Sequence, residues 1–249
     1  MSATRLAPPP AAVPPGSRVY AIGDVHGRHD LLVRLLGTII DDAGRGSGGP
    51  PPGRIVLVSV GDLIDRGPDS RAVIELMSAR PLAGARTVCL RGNHEDTMLR
   101  FLTDFSVAAQ WFRNGGLETI RSYLGTLPDD GAGDHPALQR RLYRALPPTH
   151  LDFLEKMPVR HVEGDYLFVH AGVRPGVALD HQDPTDLMWI RAPFLHSSEA
   201  FAKMVVHGHS VVDEPEIRPN RIAIDTGAYR SDRLTCLVLE GTERRFMTT

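Results

Sequence analysis

Short apolar runs of β type alternate along the first part of this chain with segments whose apolar residues recur at helical spacing. The first three runs cover residues 18–22, 54–60 and 87–90. The periodicity predicts helices over 29–42, from Asp69 onward and from about Glu95. Each run ends in glycine beside acidic, amide or histidine residues. Strand ends of this kind, alternating with helices, predict a parallel βαβ core whose loops gather at one edge.

The pattern changes between residues 97 and 157, where most segments read as helical. The helical segments cover 98–105, 117–124, 137–146 and 150–157, with interruptions at Gly115, Gly116 and 128–136. Because β-type runs resume afterwards, we interpret this stretch as a helical insertion at the rim of a single domain spanning 17–249. Loops and caps around a functional site usually determine which ligand it accepts, so we expect this stretch to determine ligand specificity. Residues 111–116 are its most suggestive stretch, although a packed helix end with a glycine stop explains them equally well.

Further β-type runs complete the predicted domain. Residues 159–162 and 166–169 predict a hairpin, and later runs cover 203–206, 221–224 and 234–239. Residues 44–53 form a flexible Gly/Pro loop in this interpretation. Residues 1–16 are rich in Pro and Ala and lack the continuous apolar stretch of a signal peptide. We therefore predict a disordered lead-in and a cytoplasmic protein.

Composition narrows the classes of partner. The formal net charge of the 249 residues is -2, which argues against a nucleic-acid partner held by general electrostatics. No apolar run approaches the length of a membrane span, so no membrane partner is expected. Cys89 and Cys236 both lie in apolar runs, which predicts buried, reduced thiols and no disulfide.

Polar residues at the strand ends form one chemically consistent set. They are two carboxylates, one amide and three imidazoles: Asp24, His26, Asp62, Asn93, His170 and His209. This set suits two divalent transition ions of the Mn, Fe or Zn type, whereas Ca²⁺ prefers oxygen ligands alone and no cysteine joins the set. Asp62 lies in the middle of the set and could bridge two ions. His207 is an alternative to His209, because residues two apart in an extended segment point the same way.

Three of these strand ends match known signature blocks. Residues 23–27 (GDVHG), 61–67 (GDLIDRG) and 92–95 (GNHE) resemble, in order, the GDxHG, GDxxDRG and GNHE blocks of the phosphoprotein phosphatase branch of the metallophosphoesterases. Residues 170–172 and 208–210 resemble its later HAG and GH[TS] blocks. The resemblance spans roughly 18–240, and residues 224–228 look more like the bacterial and phage members. It implies an α/β fold in which a β-sandwich is flanked by helices (αββα).

The resemblance also implies a role for each matched residue. Asp24, His26 and Asp62 would hold one ion, and Asp62, Asn93, His170 and His209 the other. Arg66 and Arg191 would bind phosphate oxygens, and His94, oriented by Asp65, would protonate the leaving group. Pairing of Asp65 with Arg66 alone is the competing interpretation of that carboxylate.

Chemistry supports a phosphatase with these groups. Two cations neutralise a phosphate dianion and lower the pKa of a bridging water, and a histidine paired with a carboxylate can protonate an alkoxide. The leading prediction is a serine/threonine protein phosphatase using two divalent ions, acting on a phosphorylated protein or a small phosphoester. The first alternative is a diadenosine tetraphosphatase-like hydrolase, whose second block resembles this one except for a small residue where Asp65 stands. The second alternative is a non-catalytic metal-binding regulator, which the intact ligand set disfavours.

Overall fold

Two five-stranded sheets pack face to face in the computed structural model, which describes residues 10–44, 52–127 and 135–249. The strands, in chain order, are β1 (Ser17–Ile22), β2 (Arg54–Ser59), β3 (Arg86–Cys89), β4 (Arg160–Glu163), β5 (Tyr166–Val169), β6 (Met204–His207), β7 (Glu216–Ile217), β8 (Arg221–Ala223), β9 (Thr235–Glu240) and β10 (Glu243–Thr248). Helices cover the outer faces, which gives the α/β sandwich that the sequence predicts.

The first sheet has the order β10-β9-β1-β2-β3. Strands β1, β2 and β3 are parallel, as predicted, and β9 and β10 add an antiparallel extension. Val19 and Ala21 pack into the core between the sheets, whereas Tyr20 and Ile22 pack against the helices. Because both faces are covered, β1 is apolar over most of its length.

The second sheet has the order β4-β5-β6-β8-β7. Strands β5, β6 and β8 run parallel, and β4 and β7 are antiparallel edge strands. The pairing of β4 with β5 confirms the predicted hairpin. In β5, Tyr166 and Phe168 face the other sheet, while Leu167 and Val169 pack into a separate outer cluster with Phe194.

Ten α-helices lie within the described residues. They are α1 (His29–Gly44), α2 (Ser70–Ser78), α3 (Asn93–Phe101), α4 (Ala108–Arg113), α5 (Gly116–Leu124), α6 (His135–Ala145), α7 (Pro148–Glu155), α8 (Pro184–Trp189), α9 (Ala192–Leu195) and α10 (Ala228–Ser231). The predicted first helix is confirmed: its leucines and Ile39 are buried at helical spacing. Asp69 caps α2 by accepting a hydrogen bond from the backbone N–H of Ala72 at 3.0 Å.

The insertion differs from its prediction in two places. Residues 98–101 form the end of α3, which begins at Asn93, so the segment 98–105 predicted as helical is α-helical only as far as Phe101. The chain then makes a short 3-10 turn over Phe105–Val107 and continues into α4, which apolar spacing alone did not reveal. In α4, Ala108 and Trp111 are buried in the cluster between the helices and the first sheet, and Val107 of the turn is packed against that cluster.

The structure differs from the predicted disordered lead-in at residues 10–16. Val13 is buried in the core between the sheets, and its N–H donates to the carbonyl of Gly241 at 3.0 Å. The carbonyl of Ala12 accepts from the N–H of Asp165 at 2.9 Å. These bonds join the segment to the β4–β5 and β9–β10 turns. The Pro/Ala composition of the segment does not indicate such contacts with distant parts of the chain. Residues 1–9 lie outside the described residues.

Three other sequence predictions can be compared with this fold. Most of the predicted loop 44–53 and of the interruption at 128–136 lies outside the described residues. Cys89 and Cys236 are buried and unpaired, as predicted. Among the described residues, every helix is too short or too polar to cross a bilayer.

Candidate metal centre and active site

The six predicted metal ligands converge where strands end. Asp24 and His26 follow β1, Asp62 follows β2, and Asn93 follows β3 at the start of α3. His170 and His209 follow β5 and β6 of the facing sheet in the same way. All six are at most 8% exposed, so these side chains are almost fully buried. This is the position where open α/β sheets bind ligands.

Two groups of donor atoms within this site share Asp62. One nitrogen or oxygen from each of His26, Asp62 and His94 lies within 4.8 Å of the others, and the same holds for Asp62, His170 and His209. The Oδ1 of Asn93 lies 2.9 Å from the Nε2 of His170, beside the second group. The structure thus places Asp62 between two potential ion positions.

Asp24 and His94 do not lie where their predicted roles, metal ligand and proton donor, would place them. Asp24 belongs to neither compact group, and its Oδ2 accepts the backbone N–H of His209 at 3.0 Å. His94, predicted to be a proton donor, lies in the first group with its Nε2 3.7 Å from the Oδ2 of Asp62. Its other ring nitrogen is occupied by Asp65, as described below.

Two of the imidazoles are oriented by backbone carbonyls. The Nδ1 of His26 donates to the carbonyl of Ile64 at 2.9 Å, and the Nδ1 of His170 donates to the carbonyl of Val60 at 3.0 Å. Each bond turns Nε2 toward Asp62, at 3.7 and 3.3 Å from its Oδ2. Metal-binding histidines are commonly oriented by such a bond from their second nitrogen.

The charges in the site fit cations. Burial, together with the charges of Asp225 and Asp62, raises the pKa of Asp24 well above its usual value. Burial and neighbouring His170 lower the pKa of His209 to about 2, so this imidazole is neutral and able to ligate a metal. The buried Oδ1 of Asp24 and Nε2 of His209 have no hydrogen-bond partner among the described residues. Closely spaced carboxylates, neutral imidazoles and unpartnered donor atoms are what a divalent ion would satisfy.

Backbone strain concentrates at the same loops. His26, Asp62, Asp65, Arg66 and His209 all have φ between 47° and 72°, in the left-handed region. Non-glycine residues visit this region rarely, and holding one there costs about 1–3 kcal/mol. Clustering of such residues is typical of functional sites, where surrounding contacts fix an unfavourable backbone.

His94 is held by a buried carboxylate from the neighbouring loop. Its Nδ1 donates to the Oδ2 of Asp65 at 2.6 Å. Asp65 is itself fixed by the insertion: Oδ2 accepts from the indole N–H of Trp111 at 2.8 Å, and Oδ1 accepts from the hydroxyl of Thr119 at 2.6 Å. Burial alone would lower the pKa of His94, but the charges of Asp62 and Asp65 outweigh it and raise the pKa above its usual value. The alternative in which Asp65 pairs only with Arg66 does not describe this geometry.

Two arginines lie next to the donor groups. The guanidinium of Arg66 stacks 4.5 Å from the ring centroid of Tyr229, and its Nη2 lies 3.3 Å from the Nε2 of His94. The exposed Arg191 reaches the Oγ of Ser210 with its Nη1 at 3.3 Å. Tyr229 had no predicted role, because the sequence does not indicate which aromatic residue faces the site.

His207 points away from the donor groups. Its Nδ1 lies 3.0 Å from the carbonyl of Gly208, and its ring packs edge-on against Phe194 with centroids 4.9 Å apart. The φ of 60° at His209 breaks the extended geometry, so the two histidines do not share a face. The structure therefore places His209 at the site and His207 in the apolar cluster behind it.

The overall match of the chain to known proteins agrees with this geometry. A model of the calcineurin-like phosphoesterase family matches residues 17–229. The chain belongs to this family. With its two donor groups, it is a metal-dependent phosphoesterase.

Two relatives illustrate the range of activities close to this phosphoesterase. It is 30% identical over 227 residues to the asymmetrical bis(5'-nucleosyl)-tetraphosphatase PrpE of Halalkalibacterium halodurans, with 87% of each chain covered. It is 37% identical over 222 residues to serine/threonine-protein phosphatase 1 of Salmonella typhimurium, with 87% of this chain and 89% of the relative covered. A solved serine/threonine phosphatase from Saccharomyces cerevisiae superposes with a TM-score of 0.57 at 16% identity, covering 96% of this chain and 83% of the other. At that identity the likeness supports the fold alone.

Glu95 organises the loop of the phosphoesterase that carries Asp62, a role that was not predicted from the sequence. Its buried carboxylate accepts four backbone N–H groups at 2.7–3.3 Å, from Asp62, Leu63, Ile64 and Gly92. Burial and the charge of Asp62 raise the pKa of Glu95 to about 7. One side chain thus ties the end of β2 to the start of α3. Its position as the third residue after the helix cap, typical of a capping box, is the signal that could have revealed it.

Replacing Glu95 by Gln is expected to weaken metal binding without removing a predicted ligand. The amide nitrogen would face backbone N–H donors, leaving at least one of them without an acceptor, at a cost of about 1–3 kcal/mol. Replacing a residue that holds metal ligands in place without touching the ion typically lowers metal affinity by about 10–100-fold. Titration with Mn²⁺, read by calorimetry, measures the change. Asp96→Asn, at the next position of α3, is the matched control, and equal affinities for the two variants would contradict the role given to Glu95.

Proposed function

We propose that this protein is a serine/threonine protein phosphatase that hydrolyses phosphate monoesters with two divalent transition-metal ions. The observation that carries the proposal is the buried pair in which His94 Nδ1 and Asp65 Oδ2 lie 2.6 Å apart. Serine and threonine alkoxides are poor leaving groups and need a proton donor. Phosphoanhydride leaving groups need one much less, so a fixed acid favours the phosphomonoester substrate.

The donor groups would supply the charge for this reaction. Asp24, His26 and Asp62 are proposed to hold one ion, and Asp62, Asn93, His170 and His209 the other. When bound, the two ions would neutralise the phosphate dianion and provide a water of lowered pKa as nucleophile. Manganese, iron and zinc all fit this mixed nitrogen and oxygen set.

The protein's own side chains would position the phosphate and the proton. We assign Arg66 and Arg191 to the phosphate oxygens, because guanidinium groups match them with paired hydrogen bonds. Stacking on Tyr229 restricts the rotation of Arg66 and preorganises its guanidinium. Asp65 would keep the His94 ring in one orientation, so that a proton on Nε2 is presented to the leaving oxygen. In this scheme Trp111 and Thr119 act through Asp65 and do not touch the substrate.

A second candidate function is asymmetrical cleavage of a dinucleoside tetraphosphate. It is favoured by the PrpE relative, which matches this chain over 87% of its own length. Both candidates use the same metals and arginines. They differ in how strongly turnover should depend on His94.

Parallel assays would separate the two candidates. The purified protein, supplied with Mn²⁺, would receive a phosphoserine or phosphothreonine peptide and diadenosine tetraphosphate at matched concentrations. We expect the larger kcat/KM for the peptide. The reverse preference would reject the protein-phosphatase proposal and assign the site to nucleotide hydrolysis.

A further inference from the structure

A second cleft lies where the open edges of the two sheets meet. It has a volume of about 790 Å³ and is lined by β3, β4, the end of α2 and one face of α7. We call it the edge cleft. None of the proposed metal ligands or phosphate-binding arginines lines it. Arg86 begins β3, whereas Asn93 follows the far end of that strand, so the edge cleft extends along the strand away from the metal centre.

Both strands that border the edge cleft have an unpaired side. Among the described residues, β3 pairs with β2 alone in its sheet, and β4 pairs with β5 alone. An exposed strand edge offers backbone donors and acceptors to an incoming extended peptide, which can bind as an added strand. Thr87 of β3 lines the cleft, and its buried hydroxyl has no hydrogen-bond partner among the described residues.

The charges around the edge cleft are unbalanced. Its two acidic residues are already paired, Glu75 with His150 at 2.7 Å and Asp152 with Lys156 at 2.6 Å. Three arginines remain: Arg80 in the turn after α2, Arg86 at the start of β3, and Arg160 at the start of β4, which donates a hydrogen bond to the carbonyl of Leu179. Within the described part of the chain, none of these three guanidinium groups forms an ion pair. A cleft with surplus guanidinium groups and open strand edges is complementary to an extended chain that carries carboxylates.

We propose that the edge cleft docks an acidic, extended segment of a partner protein. The inference rests on the proposed function, under which that partner is the phosphoprotein substrate. Binding there would raise the local concentration of the phosphorylated residue near the metal centre, and would act on KM more than on kcat. Arginine on an edge strand can instead serve only to prevent sheet-to-sheet aggregation, and that explanation requires no binding.

Charge reversal tests the docking inference directly. A short fluorescent peptide alternating Glu or Asp with Val would be titrated with the full-length protein and followed by anisotropy. Its Gln/Asn counterpart is the uncharged comparison. We expect the acidic peptide to bind, and Arg80→Glu with Arg86→Glu to raise Kd by about tenfold or more. Arg34→Glu with Arg141→Glu changes the net charge equally at exposed positions outside the cleft and should leave Kd within about twofold.

Each outcome decides one claim. Failure of the acidic peptide to bind, or equal loss of binding in the two double variants, would overturn the docking inference. Direct binding of inorganic pyrophosphate, read by calorimetry, with no binding of the peptide would overturn it as well, in favour of a small-anion site. Binding that depends on the cleft arginines, with no turnover of any phosphopeptide, would overturn the proposed function and leave docking standing. When both claims hold, the Arg80/Arg86 variant raises KM for a phosphopeptide carrying the acidic segment and leaves hydrolysis of p-nitrophenyl phosphate unchanged.

Discussion

Replacing His94 by Asn is expected to slow hydrolysis of a phosphoserine peptide by about 10²–10⁴-fold, the usual contribution of a positioned acid. The same change should slow p-nitrophenyl phosphate hydrolysis much less, because nitrophenolate leaves without protonation. This dependence on the leaving group identifies a proton donor, since loss of metal or phosphate binding would slow both substrates alike. The measurement is kcat for both substrates with Mn²⁺ at saturation.

Asp65→Asn provides an independent check of the acid. Asn adopts left-handed backbone readily, so the φ of 72° at this position is preserved. The amide would no longer stabilise a protonated His94, and the loss should again be larger for the peptide than for p-nitrophenyl phosphate. Equal losses for the two substrates in both variants would reject the acid assignment and reduce His94 to a metal-site residue.

Replacing Asp62 by Asn is expected to abolish most turnover of every substrate by removing the carboxylate shared by the two donor groups. Asn retains the oxygen that accepts the backbone N–H of His94 at 3.2 Å and tolerates the φ of 51°. The fold should therefore survive while the bridging charge is lost. Metal analysis after gel filtration should show fewer ions per chain than the wild type, and excess Mn²⁺ should restore activity only in part.

Asp69→Asn is the matched control for the metal-site variant. It neutralises a carboxylate that caps α2 and belongs to neither donor group, and Asn is as good a cap as Asp. Metal content and activity should match the wild type. If Asp62→Asn keeps both its metal and its turnover, the assignment of Asp62 as the shared ligand is wrong.

Much of the site is predictable from sequence, because the position of each residue follows from its immediate neighbours along the chain. Asp24, Asp62 and Asn93 each follow an apolar strand and lie beside glycine, and parallel strands bring such ends together. The glycines have a reason of their own. A Cβ on Gly92 would overlap the carboxylate of Asp62, and one on Gly208 would overlap that of Asp24. The block pattern therefore encodes both the ligand and the space that it needs.

The parts that sequence did not reveal depend on packing between distant segments. Trp111 and Thr119 reach Asp65 only because the insertion folds back over the loop, with Gly115 accepting the N–H of Arg66 at 3.2 Å. No periodicity within the insertion indicates this contact. The order of residues 10–16 was missed for the same reason, since Val13 gains its partner from Gly241 at the other end of the chain.

The left-handed backbone of the loops at the site limits which residue types each position can accept during evolution. Asp, Asn and His are the non-glycine residues that enter that region most readily, and they are also ligands of divalent transition ions. At His26, Asp62 and His209 the residue present would therefore suit both the backbone and the proposed ion, so most substitutions would lose both at once. Arg66 has no such double fit, and its conformation depends on neighbours such as Gly115. Sequence changes in the helical segment 97–157 should therefore disturb Arg66, the proposed phosphate-binding arginine, before they disturb the proposed metal ligands.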